Sequence, residues 1–279
     1  MYAQSILIQD HVHFLLKHYG IKHDHAGIVK KTTISTNLKP RNSWQKAYEI
    51  LVKINMFRVN NGLSRIEPVG VEPVENLNPD MVYGQTQRIL TELKIYEVNK
   101  NMHTPKFKLK TYTKKTPFDV YNAFSHISAS FNELNRSDFK PQDVFAETMR
   151  IYDDLSIILK SLSISDETIP KKYEENATPT DSLKTSLAVL SKIGNLQKSV
   201  GIKPIDFSAF KKSNATSSDV YTVTGLIITG LQTIKAHIGL TSDITPPAQI
   251  YSAKKPADIN QLMSWNLRKI SLIKNLDRR

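Results

Sequence analysis

Cysteine is absent from this sequence of 279 residues. Its absence excludes disulfide bonds, zinc–thiolate sites and cysteine nucleophiles. A chain without cysteine suits an exported bacterial protein, because such a protein avoids stray oxidation in an oxidising compartment. We therefore predict a periplasmic or extracellular location.

Long apolar runs and catalytic signatures are also missing. No apolar run approaches the roughly 18 residues that span a bilayer, so no transmembrane segment is predicted. The sequence has no Gly-x-Ser-x-Gly motif, no P-loop and no dinucleotide fingerprint. The Glu-x-x-His pattern of di-iron bundles is absent as well. These observations predict a non-enzymatic protein without a cofactor.

Acidic residues are outnumbered by basic ones, and the formal net charge is +12. This excess is spread over both halves and favours an acidic partner, such as an envelope polymer, anionic lipid or nucleic acid. The densest basic run, Lys106 to Lys115, is interleaved with Phe107 and Tyr112. Such runs are most often solvated loops. Because there is no recognition motif and no basic helix face, nucleic acid is only a weaker alternative here.

A phrase of the form Thr/Lys-Pro-x-Asp-Val-Tyr recurs along the chain and predicts helix starts. The copies begin at Lys39, Asn78, Thr116, Lys140, Thr178, Thr216 and Lys255. A Thr or Asn in the first position can cap the helix, Pro fits the first turn, and Asp completes a capping box. Glycines that end the helices follow at Gly20, Gly62, Gly201 and Gly239. Residues 1–21 fit the same register without the cap, so the chain is predicted to begin inside a repeat.

The repeats carry apolar residues at alternating steps of four and three, which is the seam of left-handed helix bundles. One such series is Val120, Phe124, Ile127, Phe131 and Leu134. Successive repeats begin 38 or 39 residues apart, except for a step of 24 between Thr116 and Lys140. We therefore predict an all-α chain of eight amphipathic helices. They form two tandem up-down four-helix bundles, residues 1–138 and 139–279, related by internal duplication. The alternative is a continuous α-solenoid.

The predicted loops are long for a bundle, and several alternate apolar with polar residues. One interpretation is that they are extended and pack along their own bundle. The other is that they form a surface for a protein partner. The residues predicted to carry that surface are Val69, Val71, Phe107, Leu109, Phe207, Phe210, Ile250 and Tyr251.

Histidines cluster near the start of the chain, where His11, His18, His23 and His25 are weak candidates for metal ligands. Their spacing matches no established motif, and a polar surface is the preferred interpretation.

The functional prediction is a structural scaffold or protein-interaction module of a bacterial envelope or extracellular assembly. Its partner is another protein or a second copy of the chain. The alternative is a periplasmic ligand-sensing bundle, with a pocket lined by seam residues such as Ser43, Ala47, Ser182 and Ser186.

Overall fold

The computed structural model describes residues 1–22, 38–64, 77–136 and 139–276, except 206, 208, 209, 212 and 244. Over these residues the protein is all-α, with eight helices and no strand, as the sequence predicts. The helices are α1 (Tyr2–His18), α2 (Pro40–Asn60), α3 (Pro79–Asn99), α4 (Pro117–Asn135), α5 (Pro141–Ser161), α6 (Pro179–Ser199), α7 (Ser217–His237) and α8 (Pro256–Leu272).

The predicted caps start the helices. The Thr116 hydroxyl accepts from the backbone N–H of Asp119, whose carboxylate accepts from the backbone N–H of Thr116. Thr178 and Thr216 form the same reciprocal pair with the acids three residues on. Where Lys replaces Thr, only half of the pair remains, as at Lys140, whose backbone N–H donates to the Asp143 carboxylate. The recurring phrase is therefore a structural device.

The predicted stops end the helices. Gly20, Gly62, Gly201 and Gly239 all have positive φ, between 64° and 78°. The residue after each glycine donates its backbone N–H to the last turn of the helix, as from Leu240 to the Lys235 carbonyl. Glycine is favoured there because it adopts this left-handed conformation without steric cost.

The seam residues form the cores. All five residues of the series predicted in α4 are less than 10 % exposed, and Ile227 and Leu231 of α7 are fully buried. The structure thus confirms the positions of the apolar stripes that the heptad spacing predicts.

The described helices separate into two compact units, unit 1 with α1–α4 and unit 2 with α5–α8. In unit 1, α1 and α2 each pack against both α3 and α4. In unit 2, α5 and α6 each pack against both α7 and α8. The same pairing pattern therefore occurs in both units. In unit 1 the diagonal pairs are α1 with α2 and α3 with α4, and in unit 2 they are α5 with α6 and α7 with α8.

The four helices of each unit run in the same direction, so the predicted up-down order is wrong. Gln4 and Tyr83 meet near the starts of α1 and α3, and Tyr19 and Tyr96 meet near their ends. Alternate helices are parallel in the other pairs too, with contacts Lys53–Ser128 and Asn60–Asn135 (α2, α4), Phe139–Tyr221 and Asp154–Lys235 (α5, α7), and Ser182–Pro256 and Thr185–Asn260 (α6, α8).

The up-down order is excluded by contacts between consecutive helices. In unit 1 the Phe57 ring at the end of α2 meets Tyr19 at the end of α1, with 5.7 Å between centroids, and Tyr96 at the end of α3, at 4.6 Å. In unit 2 the backbone N–H of Ala215, just before α7, donates to the Thr180 hydroxyl at the start of α6 at 3.0 Å. In an up-down bundle the end of α2 would meet the starts of α1 and α3, and the start of α6 would meet the end of α7.

The parallel order explains the long loops. A helix of 21 residues is roughly 31 Å long, and the chain must return over this length before the next helix begins. Residues 162–178 reach up to roughly 56 Å when fully extended. We call such connections return segments; those with most residues described are 100–116, 162–178, 200–216 and 238–255.

Parallel helices add their dipoles instead of cancelling them. In unit 2 every helix has an acid in its first turn: Asp143, Asp181, Asp219 and Asp258. These carboxylates lie at the positive helix ends, where they stabilise the bundle. In unit 1 only α3 and α4 have such an acid. The positive helix ends at the start of unit 1 are therefore less neutralised by acids than those at the start of unit 2.

The contact between α6 and α7 depends on Gly230. A Cβ atom at this position would lie 2.7 Å from Cγ2 of Ile193. We expect Gly230→Ala to lower the free energy of unfolding by about 1–3 kcal/mol through overpacking, although alanine is the better helix former. Gly84→Ala in α3 is the matched control, because a Cβ there meets nothing within 4 Å. It should raise stability by up to about 1 kcal/mol. Urea denaturation of both variants checks this, and changes of the same sign would contradict the packing.

Candidate functional site

The return segment 100–116 packs along α1. The Thr104 hydroxyl donates to Glu97 at 3.0 Å, and the Phe107 ring lies edge-on to His11 with 4.9 Å between centroids. Farther along, Tyr112 contacts the Tyr2 ring at 5.0 Å. The segment therefore runs from the end of the helices back to their start, in contact with its own bundle.

The return segment 238–255 follows the equivalent path along α5. Arg150 donates to the Pro246 carbonyl at 2.7 Å, and Tyr251 lies edge-on to Phe145 at 5.0 Å. The Lys254 ammonium lies 4.3 Å from the Phe145 centroid. In unit 1 Lys115 lies in the same way over the Tyr2 ring, at 4.5 Å. Both segments thus end in the same contact between a tyrosine, a lysine and the first helix.

The return segment 162–178 is held by α8. Its backbone carbonyls accept hydrogen bonds from α8 side chains, from Trp265 to Thr168, from Arg268 to Ile169 and from Gln261 to Lys171. Lys269 forms an ion pair with Asp166 at the start of the segment. The backbone of this segment is therefore fixed to the helix, residue after residue.

The predicted partner surface is divided by this packing. Phe107 and Tyr251 are half-buried by the ring contacts described above, and Phe207 and Phe210 are also half-buried. Leu109 is 57 % exposed and Ile250 is 71 % exposed. Val69 and Val71 lie outside the described residues. Four of the six described residues are thus half-buried, and two are exposed.

Sequence reasoning missed a third exposed apolar side chain of this kind. Ile169, on the return segment 162–178, is 69 % exposed. Its backbone carbonyl is bound by Arg268 while its side chain faces solvent. The signal was present in the sequence as an isolated aliphatic residue between Thr168 and Pro170.

A buried ionic cluster joins the return segment 238–255 to α5 and α7 of unit 2. The Lys235 ammonium donates to the Asp154 carboxylate at 2.7 Å, and both side chains are completely buried. The Thr245 hydroxyl donates to the second carboxylate oxygen at 2.6 Å. Burial raises the pKa of Asp154, and the attraction of Lys235 together with these hydrogen bonds offsets only part of that effect.

The corresponding place in unit 1 holds His11 and Glu97. His11 Nδ1 lies 2.7 Å from Glu97 Oε1, and both residues are buried. His11 is therefore a bundle residue that a neighbouring carboxylate orients. His18 is exposed beside Tyr19, while His23 and His25 lie outside the described residues. Within the residues that the structure describes, no group of three or more His, Asp or Glu could hold a metal ion.

A second buried cluster lies between α2 and α4. Glu49 accepts from Lys46 at 2.6 Å and lies 3.2 Å from the Lys53 ammonium, which also donates to the Ser128 hydroxyl. Burial raises the pKa of Glu49, but the two lysines and the hydrogen bonds outweigh it and bring the pKa from 4.5 to about 2. The carboxylate is therefore charged throughout the physiological range and holds the two helices together.

The seam serines that we considered for a ligand pocket are packed. Ser182 and Ser186 are fully buried, and their hydroxyls donate to backbone carbonyls. Ser43 and Ala47 are buried as well. An open depression of about 430 Å³ lies elsewhere, between α6 and the return segment 200–216, and is lined by Leu183, Lys184, Leu187, Lys211 and Ser213.

No helix in the described part of the chain is long and apolar enough to cross a membrane. Comparison of the chain with protein-family models, with curated proteins and with solved structures found no match.

Proposed function

We propose that the chain is a non-enzymatic structural and protein-interaction module, whose partner binds the exposed apolar side chains of the return segments. The observation that carries this proposal is the distribution of Leu109, Ile169 and Ile250. Each lies on a different return segment, and each is more than half exposed. Single exposed aliphatic residues are common on protein surfaces, but here the same element of the fold presents one in three separate places.

The support beneath these side chains favours binding. The backbone around Ile169 is tied to α8, and the backbone around Ile250 is tied to α5 at Pro246 and Tyr251. A segment whose backbone is already fixed loses little backbone freedom when a partner covers it. The parallel bundles therefore act as rigid supports, and the return segments carry the contact residues.

The setting we propose is a bacterial envelope or extracellular assembly. The absence of cysteine supports it. The partner is a second protein or a second copy of this chain, and the basic surface suits an acidic envelope polymer nearby.

Site-specific photo-crosslinking tests the interface. A photoreactive phenylalanine analogue is introduced singly at Leu109, Ile169 and Ile250, and at exposed Lys203 as a control, in cells that make the protein. We expect crosslinked species at the first three positions and none at Lys203. The variants Leu109→Asp, Ile169→Asp and Ile250→Asp should fold normally, because these side chains are exposed. In a pull-down they should no longer retain the partner. Equal crosslinking at all four positions would contradict a defined interface.

A further inference from the structure

One stretch of unit 1 is strongly basic and free of acids. Between Val98 and Phe118 there is no Asp or Glu. The same stretch contains six lysines: Lys100, Lys106, Lys108, Lys110, Lys114 and Lys115. All six are exposed. We call residues 106–115 the lysine strip.

The lysine strip is extended along α1. From Phe107 to Tyr112 it passes from His11 to Tyr2, which is roughly 13 Å of helix at the standard rise. Five residues cover this length only when the chain is nearly extended. Lys106, Lys108 and Lys110 are then spaced by roughly 7 Å. The first acid beyond the strip, Asp119, is engaged by the Thr116 cap and by Lys115 at 3.7 Å.

The charges of the strip are not needed for its packing. In unit 2 the return segment 238–255 makes the same tyrosine and lysine contacts with its first helix. Yet residues 245–250 of that segment, Thr-Pro-Pro-Ala-Gln-Ile, carry no charge. The three alternating lysines of unit 1 have no ion-pair partner among the described residues. Unpaired like charges in a row repel each other, so their presence favours an anionic ligand.

The helix ends reinforce this field. The strip leads toward the start of unit 1, where the parallel dipoles are positive and where α1 and α2 have no acid in their first turns. A linear anion that lies on the strip is therefore attracted along its whole length.

We propose that the lysine strip binds the phosphodiester backbone of a single nucleic-acid strand, independently of base sequence. From Lys106 to Tyr112 the strip is one chain wide and roughly 20 Å long, which matches a linear ligand rather than a compact anion. Its cations are all lysines, which act as point charges and lack the bidentate geometry that reads bases. Phe107 and Tyr112 are engaged by His11 and Tyr2, so base stacking on them is not the main contact. This binding differs from the protein interface proposed above in its ligand, and the two share one place, because Leu109 lies within the strip between Lys108 and Lys110.

Fluorescence anisotropy with a labelled 20-nucleotide dT strand tests the proposal on the full chain. The triple variant K106Q/K108Q/K110Q should bind at least tenfold more weakly at 50 mM salt. The slope of log K against log salt should fall by about 2, because three phosphate contacts are lost at about 0.7 each. The matched control K192Q/K198Q/K203Q removes the same charge from exposed positions of unit 2 and should bind like the parent. Thermal unfolding of both variants should match that of the parent, since the six lysines that the two variants replace are all exposed.

Two further ligands complete the test. An abasic strand of the same length should bind within about threefold of dT, because phosphates are the contacts. Equal weakening by both triple variants would overturn the proposal, since it would show that net charge alone governs binding. Binding to phosphatidylserine vesicles without binding to the strand would also overturn it, in favour of a membrane surface.

Discussion

Replacing Asp154 with Ala is expected to lower the free energy of unfolding by about 3–5 kcal/mol, because it leaves the Lys235 ammonium buried without a counter-charge. Lys235 is fully buried, and its hydrogen bond to Asp154 is 2.7 Å long. The Thr245 hydroxyl loses its acceptor at the same time. Urea denaturation followed by circular dichroism measures the change.

The double variant Asp154→Ala/Lys235→Met is the control. Removing both charges eliminates the uncompensated cation, so the double variant should recover much of the stability lost in the single one. If the stability losses of Asp154→Ala and Lys235→Met, each measured singly, add up to the loss in the double variant, the two charges do not interact in solution as they do in the structure. The assignment of this cluster would then be wrong.

Glu49→Ala is expected to cost a similar amount, about 3–5 kcal/mol, for the same reason. Here the contribution also depends on pH. The folded-state pKa of about 2 lies below the ordinary value of 4.5. The carboxylate therefore stabilises the fold above pH 4.5, and this stabilisation of about 3 kcal/mol is lost as the pH falls through that range toward 2.

Glu49→Gln isolates this pH dependence. The difference in unfolding free energy between the parent and this variant should be largest above pH 4.5 and should shrink toward pH 2. Glu167→Gln is the matched control, because Glu167 is exposed, and its difference should be small at every pH. A gap that stays constant from pH 6 to pH 2 would show that Glu49 contributes through packing and not through its charge.

The local features of the fold were predictable because they depend on neighbours in the sequence. A capped helix start combines an oxygen-bearing side chain with an acid three residues later, as Thr178 and Asp181 show. A stop needs a residue that tolerates positive φ, as Gly201 does. The heptad spacing identified the buried stripes for the same reason, since the helical period alone decides which residues share a face.

Helix direction was not predictable from the heptad pattern, because a seam reads the same in parallel and antiparallel bundles. The informative signal was the length of the connections. Residues 162–178 are far more than an antiparallel turn needs, and they suffice for a full return along the bundle. The interpretation of an internal duplication remains a prediction; the equivalent contacts of Tyr112 and Tyr251 agree with it.

The buried ionic clusters could not be predicted, because they join residues that are distant in the sequence. Asp154 lies in the middle of α5 in a sequence that gives no sign of its partner, and Lys235 is 81 residues away. The exposed apolar side chains were hard to predict for another reason, because they lie beside packed residues in the sequence. Leu109 and Phe107 belong to the same alternating stretch, and only the path along α1 shows that Phe107 packs while Leu109 is exposed.

The parallel direction of the helices is the central claim, because it places the return segments on the bundle surface. Distances between nitroxide labels test it most directly, and the absence of cysteine allows labels at introduced cysteines without background. The pair Lys198 and His237 lies near the ends of the neighbouring helices α6 and α7, and the pair Lys184 and His237 joins the start of α6 to the end of α7. The account predicts that the first distance is the shorter, since the 14 positions between Lys184 and Lys198 correspond to roughly 21 Å of helix. A shorter distance for the second pair would show that the helices are antiparallel and would contradict the account.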